Sequence, residues 1–219
     1  MNNKCVAIID YGMGNLFSIE NACRTSGLDP IITSEKEIIM KSPAVILPDV
    51  GAFGNGVKAL KKLDLHSSIK DFINSGKLFM GICLGMQLLM SESEEFGKHD
   101  GLDIIKGEVV KFPNRNNLME KVKIPHIGWN QIIYANQMDS KGSPLENIKN
   151  GEFMYFIHSY FVKPFSEKYI FTTTEYCSIK YCSGIRKGNV FGFQFHPEKS
   201  GPRGIEISKN FNRLIKDVN

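Results

Sequence analysis

Cys83 lies in a stretch of the chain whose residue types could carry out nucleophilic chemistry. The apolar residues 78–82 before it indicate a short buried strand, and residues 84–90 after it indicate the first turns of a helix. Gly81 and Gly85 flank the cysteine, and such a strand-to-helix elbow exposes a nucleophile above a sheet. Because the amide dipoles of a helix N-terminus favour thiolate over thiol, we expect a reactive cysteine rather than a buried core thiol.

A nucleophilic cysteine needs a base, and the segment around His196 could supply one. Residues 190–195 indicate a strand with aromatic side chains at alternate positions, and His196 follows at its end. Pro197 then ends the strand, since it has no N–H to donate. Glu198 lies two residues beyond the histidine, close enough to orient the imidazole and to stabilise its cation. The pattern therefore predicts a Cys-His-Glu triad that includes Cys83.

Strands and helices alternate in the first half of the chain, which indicates a parallel sheet with helices on both faces. From Gly107 onward strand-forming residues dominate and turns join them into hairpins, so we expect antiparallel strands to extend the sheet. The predicted fold class is α/β, with a mixed, mostly parallel central sheet. No linker or repeat interrupts the chain, so residues 1–219 are expected to form a single domain. Ligands bind beyond the carboxyl ends of such strands, where Cys83 falls.

Two motifs carry a resemblance to a known family: Gly81-Ile-Cys-Leu-Gly-Met-Gln87 and Gln194-Phe-His-Pro-Glu-Lys-Ser200. They resemble those of the class I glutamine amidotransferases, which implies a flavodoxin-like sheet. Three further segments narrow the resemblance to the glutaminase subunits of imidazole glycerol phosphate synthases: Val50-Gly-Ala-Phe-Gly54, Ile124-Pro-His-Ile-Gly-Trp-Asn130 and Tyr155-Phe-Ile-His-Ser-Tyr160. The similarity runs from Val6 to about Phe211, nearly the whole chain.

The resemblance implies that the chain hydrolyses L-glutamine to glutamate and ammonia. The tetrahedral intermediate would need N–H donors for its oxyanion, and the residues expected to form this oxyanion hole are Val50, Gly51 and Leu84. The residues that would hold the substrate glutamine, by the same resemblance, are Gly51, Gln87, Glu95, His158, Ser159 and Tyr160. Gln87 lies one helical turn after Cys83, on the same face of the predicted helix.

The resemblance also implies a heterodimer with a cyclase subunit of (β/α)8-barrel fold, docked over the active site so that ammonia passes through the barrel. The acceptor would be the ribulosyl form of an aminoimidazole-carboxamide ribonucleotide. The products would be imidazole glycerol phosphate and the purine precursor AICAR, in histidine biosynthesis. The residues expected at this interface are His126, Trp129, Asn130, Tyr155 and Lys199, with a structural role as the alternative for His126. Trp129 is the only tryptophan, and exposed aromatic residues are common interface anchors.

One position departs from the family pattern. The family's oxyanion segment normally reads Pro-Gly-Val-Gly, and this chain reads Pro48-Asp-Val-Gly51. A glycine can flip the peptide to aim an N–H at the oxyanion, whereas Asp49 reaches such dihedrals less easily. Its carboxylate would also repel the developing negative charge. We therefore expect very low glutaminase activity without a partner, and an Asp49→Gly variant that differs from wild type.

Composition argues against several functional classes. A net charge of +4, with lysines and acids interspersed, gives no argument for nucleic-acid binding. No run approaches the roughly 18 apolar residues of a membrane span, and no export signal is apparent. Five cysteines, an odd number without metal-ligand spacing, indicate reduced thiols in a cytoplasm. No metal or cofactor is expected, and His66 and His99 lie in polar stretches where we expect them to be solvated.

Other interpretations stay open on sequence alone. The same chemistry could serve another acceptor, such as a nucleotide sugar. The chain could be a non-catalytic scaffold with a decayed oxyanion loop, although the intact triad argues against this. Cysteine-elbow peptidases and stress-response hydrolases are a more distant alternative, because they lack the His-Pro-Glu after a strand and the Trp-Asn segment. His158 competes with His196 for the role of base, but no Pro-Glu follows it.

Overall fold

The computed structural model describes residues 4–48, 50–135 and 139–217, and Asp49 therefore lies outside the described residues. Its strands in chain order are β1 (Cys5–Ile9), β2 (Asp29–Thr33), β3 (Ala44–Leu47), β4 (Leu78–Ile82), β5 (Glu92–Ser93), β6 (His99–Asp100), β7 (Gly107–Lys111), β8 (His126–Tyr134), β9 (Glu152–His158), β10 (Tyr160–Pro164), β11 (Ile170–Tyr176), β12 (Ile179–Lys187) and β13 (Val190–Phe193). Its α-helices are α1 (Leu16–Thr25), α2 (Lys36–Lys41), α3 (Phe53–Lys62), α4 (Leu65–Asn74), α5 (Leu84–Gln87) and α6 (Gly201–Asp217). Short 3₁₀ turns cover Glu167–Tyr169 and Pro197–Lys199.

Five parallel strands form the centre of the sheet, in the order β2-β1-β3-β4-β13. Every residue of β1, β3, β4 and β13 is buried, and these strands are apolar throughout. Continuous burial of this kind is typical of parallel strands that are covered on both faces. The carboxyl ends of β4 and β13 consequently lie side by side at one edge of the sheet.

Mostly antiparallel strands extend the sheet on the far side of β13; among the described strand pairs of this extension, only β5–β7 is parallel. The order continues through β12, β10 and β7 to the short strands β5 and β6. A branch leaves β12 through β11 to β8 and β9, which pair with each other over most of their length. The β8–β9 pair leads back to the carboxyl edge, because the backbone N–H of His196 donates to the carbonyl of Tyr155 in β9 at 2.9 Å.

Helices cover both faces of the parallel strands. Successive strand residues point to opposite sides, so neighbouring residues contribute to different cores. Val6 and Ile8 of β1 share a core with α1 and α6, whereas Ala7 and Ile9 share the other core with α3 and α4. Helix α6 contributes one apolar face to the first core, formed by Ile207, Phe211 and Ile215. The predicted fold class, a mixed α/β sheet with a parallel centre and an antiparallel extension, is confirmed.

The predicted elements differ from the structure mainly in the second half. The strand expected over residues 131–134 begins five residues earlier, at His126. The strand expected over residues 153–162 is two strands, because the ladder breaks at Ser159 between β9 and β10. Helix α2 and the two-residue strands β5 and β6 were not predicted. Within the expected loop over residues 136–151, the described part, 139–151, holds turns and no strand.

None of the five cysteines, all of which the structure describes, forms a disulfide: Cys177 lies in the turn between β11 and β12, whereas Cys182 is buried within β12. Across the described ranges, no helix combines the length and the apolar character that crossing a bilayer requires.

Candidate active site

Cys83 is the hinge between β4 and α5, and its backbone has an unusual conformation. Its φ of 48° and ψ of −105° fall in a region that residues with a side chain seldom adopt. Strain of this kind persists only where the surroundings hold the backbone in place, and it is concentrated at functional sites. The Cys83 N–H donates to the carbonyl of Phe193 in β13 at 2.7 Å, which ties the elbow to the neighbouring strand.

The two flanking glycines are required by close packing of backbone on backbone. A Cβ at Gly81 would collide with the carbonyl of Gly85, in the first turn of α5. A Cβ at Gly85 would collide with the carbonyl of Leu47 at the end of β3. The elbow predicted around Cys83 is therefore present, and its glycines allow α5 to start directly against the sheet.

His196 and Glu198 follow β13, the parallel neighbour of β4. Ile82 and Phe193 are paired across these two strands, so Cys83 and His196 leave the same edge of the sheet one and three residues later. The Nδ1 atom of His196 lies 2.9 Å from Oε1 of Glu198, and both side chains are 1% exposed. The contact fixes the imidazole ring, and the carboxylate can stabilise an imidazolium cation in this dry setting.

The Cys83 and His196 side chains line one cavity of about 350 Å³ at the carboxyl edge of the sheet. Its volume falls within the range of small-molecule sites. The wall is formed by Val50, Gly51, Cys83, Leu84, Gln87, Glu95, Ile157, His158, Ser159, Tyr160, His196 and Lys199. The structure thus brings together the cysteine, the histidine and every residue predicted for glutamine binding and the oxyanion hole, with Glu198 behind the histidine. Lys199, predicted for the interface, also lies on the wall.

Two wall residues from different segments are fixed by hydrogen bonds. The Nε2 atom of Gln87 donates to the carbonyl of Tyr160 at 3.0 Å and to Oε1 of Gln194 at 3.1 Å. The carboxylate of Glu95 accepts the N–H of Phe53 at 2.7 Å, at the start of α3. A carboxylate is stabilised at such a helix N-terminus, so Glu95 offers negative charge to the cavity in a fixed position.

His158 belongs to a buried hydrogen-bonded network and does not have a free ring nitrogen. Its Nδ1 donates to the carbonyl of Tyr160 at 2.8 Å, because a carbonyl can only accept. Its Nε2 therefore accepts from the hydroxyl of Tyr181 at 3.2 Å. Desolvation lowers the pKa of His158 to about 3, so the ring stays neutral. These contacts favour His196 over His158 as the base.

The same network continues to His126. The Tyr181 oxygen, whose proton is used by His158, accepts from Nδ1 of His126 at 3.1 Å. Burial lowers the pKa of His126 to about 4. Its Nε2 faces the amide of Asn130 at 3.4 Å. The two neutral histidines thus share one tyrosine hydroxyl in a fully assigned order of donors and acceptors.

The loop before α3 contributes Val50 and Gly51. Gly51 has a φ of +139°, a backbone conformation that residues with a side chain rarely adopt, so the loop favours glycine at this position. Val50 is 48% exposed at the cavity mouth. Leu84 is the first residue of α5, and first-turn amides have no carbonyl acceptor within their own helix. The effect predicted for Asp49 concerns a residue outside the described part of the chain.

The residues predicted for a partner surface divide between the two sides of β8. Trp129 is 54% exposed and packs edge-on against Tyr155 of β9, with ring centroids 6.0 Å apart. The prediction for His126 is wrong, since this residue is 2% exposed and its ring is stacked between aromatic side chains. The physical reason is strand alternation, which turns His126 and Asn130 away from the face that carries Trp129. The amide of Asn130 donates to the carbonyl of Glu175 at 2.8 Å.

Gln194 and Tyr181 were not singled out from the sequence. Gln194 is completely buried, and its Nε2 lies 3.4 Å from the sulfur of Cys83. The sequence carried a signal for Gln194. Residues two apart in an extended segment lie on the same side, so Gln194, between Phe193 and Phe195, lies on the side of His196. No comparable signal pointed to Tyr181, whose role depends on contacts between distant strands. In the described ranges no cluster of His, Cys, Asp or Glu could hold a metal ion.

Comparison with known proteins decides the family. Residues 7–214 match the model of the family described as glutamine amidotransferase class-I. The chain belongs to the class-I glutamine amidotransferase family. This amidotransferase is 47% identical, over 96% of its length and 98% of the relative's, to the imidazole glycerol phosphate synthase subunit HisH of Caldanaerobacter subterraneus subsp. tengcongensis. It is 44% identical to the subunit HisH of Aquifex aeolicus, over 96% of the chain and 97% of the relative.

Solved structures share the fold at low sequence identity. A structure described as a glutamine amidotransferase superposes with a TM-score of 0.71 at 15% identity, covering 96% of this chain and 98% of its own. A chain of PurLQS from Thermotoga maritima superposes with a TM-score of 0.69 at 20% identity, covering 97% of each chain. These likenesses show that the sheet and its helices recur in solved structures of low sequence identity.

Proposed function

We propose that this chain is the glutaminase subunit of an imidazole glycerol phosphate synthase, and that it hydrolyses L-glutamine with Cys83, His196 and Glu198. The observation that carries the proposal is the cavity on which a strained cysteine elbow meets a histidine held by a buried glutamate. The relatives named HisH, at 44–47% identity over nearly the whole chain, support the pathway.

The first half of the reaction transfers the glutamyl group to sulfur. The thiolate of Cys83 attacks the carboxamide carbon of glutamine, and a C–S bond forms as the carbonyl becomes an oxyanion. His196, through Nε2, gives its proton to the leaving nitrogen, so the C–N bond breaks and ammonia departs. Glu198 stabilises the imidazolium before this transfer, because its carboxylate holds Nδ1 at 2.9 Å.

The second half releases glutamate. Water attacks the thioester, and neutral His196 takes the proton that the water loses. The C–S bond breaks, glutamate leaves, and the thiolate and imidazolium pair is restored. Backbone N–H groups of Leu84 and of the loop at Val50 and Gly51 would stabilise both oxyanions. Each such donor is worth about 3 kcal/mol.

Substrate binding uses the groups that remain on the wall. Since both protons of the Gln87 amide are engaged, its Oε1 is the atom left to accept from the substrate. The Glu95 carboxylate would pair with the α-ammonium group of glutamine. The backbone around Ser159, where the ladder breaks between β9 and β10, would hold the α-carboxylate.

The partner would be a cyclase subunit, for which a barrel fold is proposed, seated on the rim of the cavity. The outer side of β8 and β9, which we call the rim, carries the exposed apolar residues Ile127, Trp129, Phe153 and Ile157, and Ile157 also lines the cavity. These are large apolar side chains of the kind that partner surfaces bury. A seated cyclase would receive the ammonia before it reaches water, and Lys199 at the mouth would pair with an acid of that subunit.

Three further expectations belong to this proposal. The chain acts as one domain over residues 1–219, which one continuous sheet supports. It works in the cytoplasm, which its free thiols support. Asp49 keeps hydrolysis low until the partner binds, so Asp49→Gly should change the activity of the isolated chain.

The proposal is tested by glutamate release from the chain alone, the chain with a candidate cyclase, and that complex with the ribonucleotide acceptor. We expect very low release alone and a rise with the cyclase, with imidazole glycerol phosphate formed from glutamine. A Cys83→Ala complex should still form that product from added ammonium salts, since the cyclase is untouched. Release by the isolated chain that no cyclase changes, or product formation from glutamine in the Cys83→Ala complex, would refute the assignment.

A further inference from the structure

Gln194 is a buried polar residue that the triad does not use. It has no exposed surface, it lies between two phenylalanines, and its Nε2 is 3.4 Å from the sulfur of Cys83. A buried amide of this kind is expected to have a defined set of hydrogen-bond partners. The nature of its contact with Cys83 depends on which end of the amide, NH₂ or oxygen, faces the sulfur.

The orientation of the Gln194 amide is fixed from a backbone carbonyl. The carbonyl of Tyr160 can only accept, so the Gln87 atom 3.0 Å away is its NH₂ group. The second proton of that NH₂ points at Gln194, 3.1 Å away, which must present its oxygen. The NH₂ of Gln194 is consequently the group that faces Cys83. A flipped amide would set NH₂ against NH₂ at one end.

The Tyr160 carbonyl, which orients the amides of Gln87 and Gln194, is itself held in place. The carbonyl of Tyr160 also accepts from Nδ1 of His158 at 2.8 Å, and the neutral ring of His158 is fixed in turn by Tyr181. The backbone N–H of Gln194 donates to the carbonyl of Ser183 at 2.9 Å, which holds the main chain of the residue. Both ends of the Gln194 side chain are thus constrained before any substrate arrives.

We propose that Gln194 is a positioning residue that donates an N–H···S hydrogen bond to the Cys83 thiolate and holds the sulfur toward the cavity. The inference rests on the proposed function of Cys83 as the nucleophile. A neutral donor suits this place, because it stabilises a sulfur anion without offering a basic atom that would take the proton meant for ammonia. The bond is stronger to the thiolate than to the neutral thioester, so it stabilises the anion before attack and favours its return when glutamate leaves.

The test measures how fast iodoacetamide alkylates Cys83 in the purified chain without glutamine, by mass spectrometry of the Cys83 peptide. Cys177 is an exposed thiol of the same molecule and serves as an internal reference. Gln194→Met keeps the length of the side chain and removes the donor, and we expect the ratio of Cys83 to Cys177 alkylation to fall about tenfold. Gln194→Glu puts a carboxylate against the sulfur, and we expect a further fall.

Folding is controlled within the same experiment. Cys23 and Cys182 are buried, so their alkylation in a variant would report loss of the fold. If Gln194→Met fails this control, Gln194→Glu decides, and Gln87→Met provides a third variant that leaves Gln194 in place and removes the amide that orients it. That variant should slow Cys83 alkylation about threefold.

The inference is overturned if folded Gln194 variants alkylate Cys83 at the wild-type ratio. Its failure is separable from failure of the proposed function. A wild-type complex that forms a glutamyl thioester, with alkylation independent of Gln194, defeats the inference alone. A wild-type complex that forms no thioester defeats the proposed function, whatever the alkylation rates.

Discussion

The inner wall of the cavity and its outer rim are built in opposite ways. On the wall, His196 is almost completely buried, and Gln194, which contacts the sulfur of the wall residue Cys83, has no exposed surface; both side chains make defined hydrogen bonds. On the rim, Trp129 and Ile127 are more than half exposed, at 54% and 56%. The difference indicates that the chemistry is preorganised within this chain, whereas the rim is left for a second protein to cover.

The preorganised chemistry within the chain is most sharply tested by Glu198→Gln. The amide keeps the shape of the carboxylate but cannot stabilise the imidazolium, and it can hold His196 in the wrong tautomer. We expect kcat of the complex to fall by about a thousandfold, or about 4 kcal/mol, with KM little changed. The measurement is glutamate release at saturating glutamine. A fall below tenfold would mean that Glu198 is only a packing residue.

Tyr181→Phe removes a hydroxyl that supports the wall residue His158 and leaves the triad unchanged. It removes the hydroxyl shared by His126 and His158 and leaves two buried ring nitrogens without that partner. We expect the free energy of unfolding to fall by about 3 kcal/mol. Tyr176→Phe is the matched control, because its hydroxyl bond to Lys123 lies at the surface and should matter little. Equal stability of the two variants in urea titrations would contradict the network.

Trp129→Ala examines the rim. Half of the indole is already in water, so stability should change little, while affinity for the cyclase should fall by tenfold or more, about 1.4 kcal/mol. Phe165→Ala is the control, since Phe165 is 67% exposed but follows the end of β10 that leads away from the cavity. If both variants bind the cyclase equally well, the rim is not the interface.

The pH dependence of stability tests the buried pair His126 and His158. The pKa values of His126 and His158, about 4 and about 3, lie below their ordinary 6.5. The unfolded chain therefore takes up protons first as pH falls below 6.5, and the folded state loses stability. The loss should reach at most about 1.4 kcal/mol per pH unit for each histidine between pH 6.5 and 5. His158→Gln should reduce the slope of unfolding free energy against pH; an unchanged slope would contradict this.

The parallel half of the molecule was predictable from local patterns. The apolar run before Cys83 and the two glycines around it specify the elbow, because backbone atoms of β3 and α5 leave no room for a Cβ. His196 was also predictable from a local pattern, because it follows an aromatic strand and precedes Pro197, and that strand neighbours β4.

The β8–β9 arm was harder to predict. The sequence predicted a strand only from Gln131, whereas β8 begins at His126, so the alternation that places His126 and Asn130 on the side opposite Trp129 was not foreseen. The His158–Tyr181 and Gln87–Gln194 contacts join residues 23 and 107 positions apart. No local pattern encodes such pairs, because they are set by sheet order and not by the propensities of either segment.

The central claim, that Cys83 and His196 act as one catalytic unit, is tested most directly by the rate of glutamyl thioester formation. The complex would be mixed rapidly with glutamine, quenched in acid and assayed by intact mass and peptide mapping. We predict a glutamyl adduct on Cys83 in wild type, formed at least a hundredfold more slowly in His196→Asn. An adduct on another residue, or equally fast formation in His196→Asn, would contradict the claim.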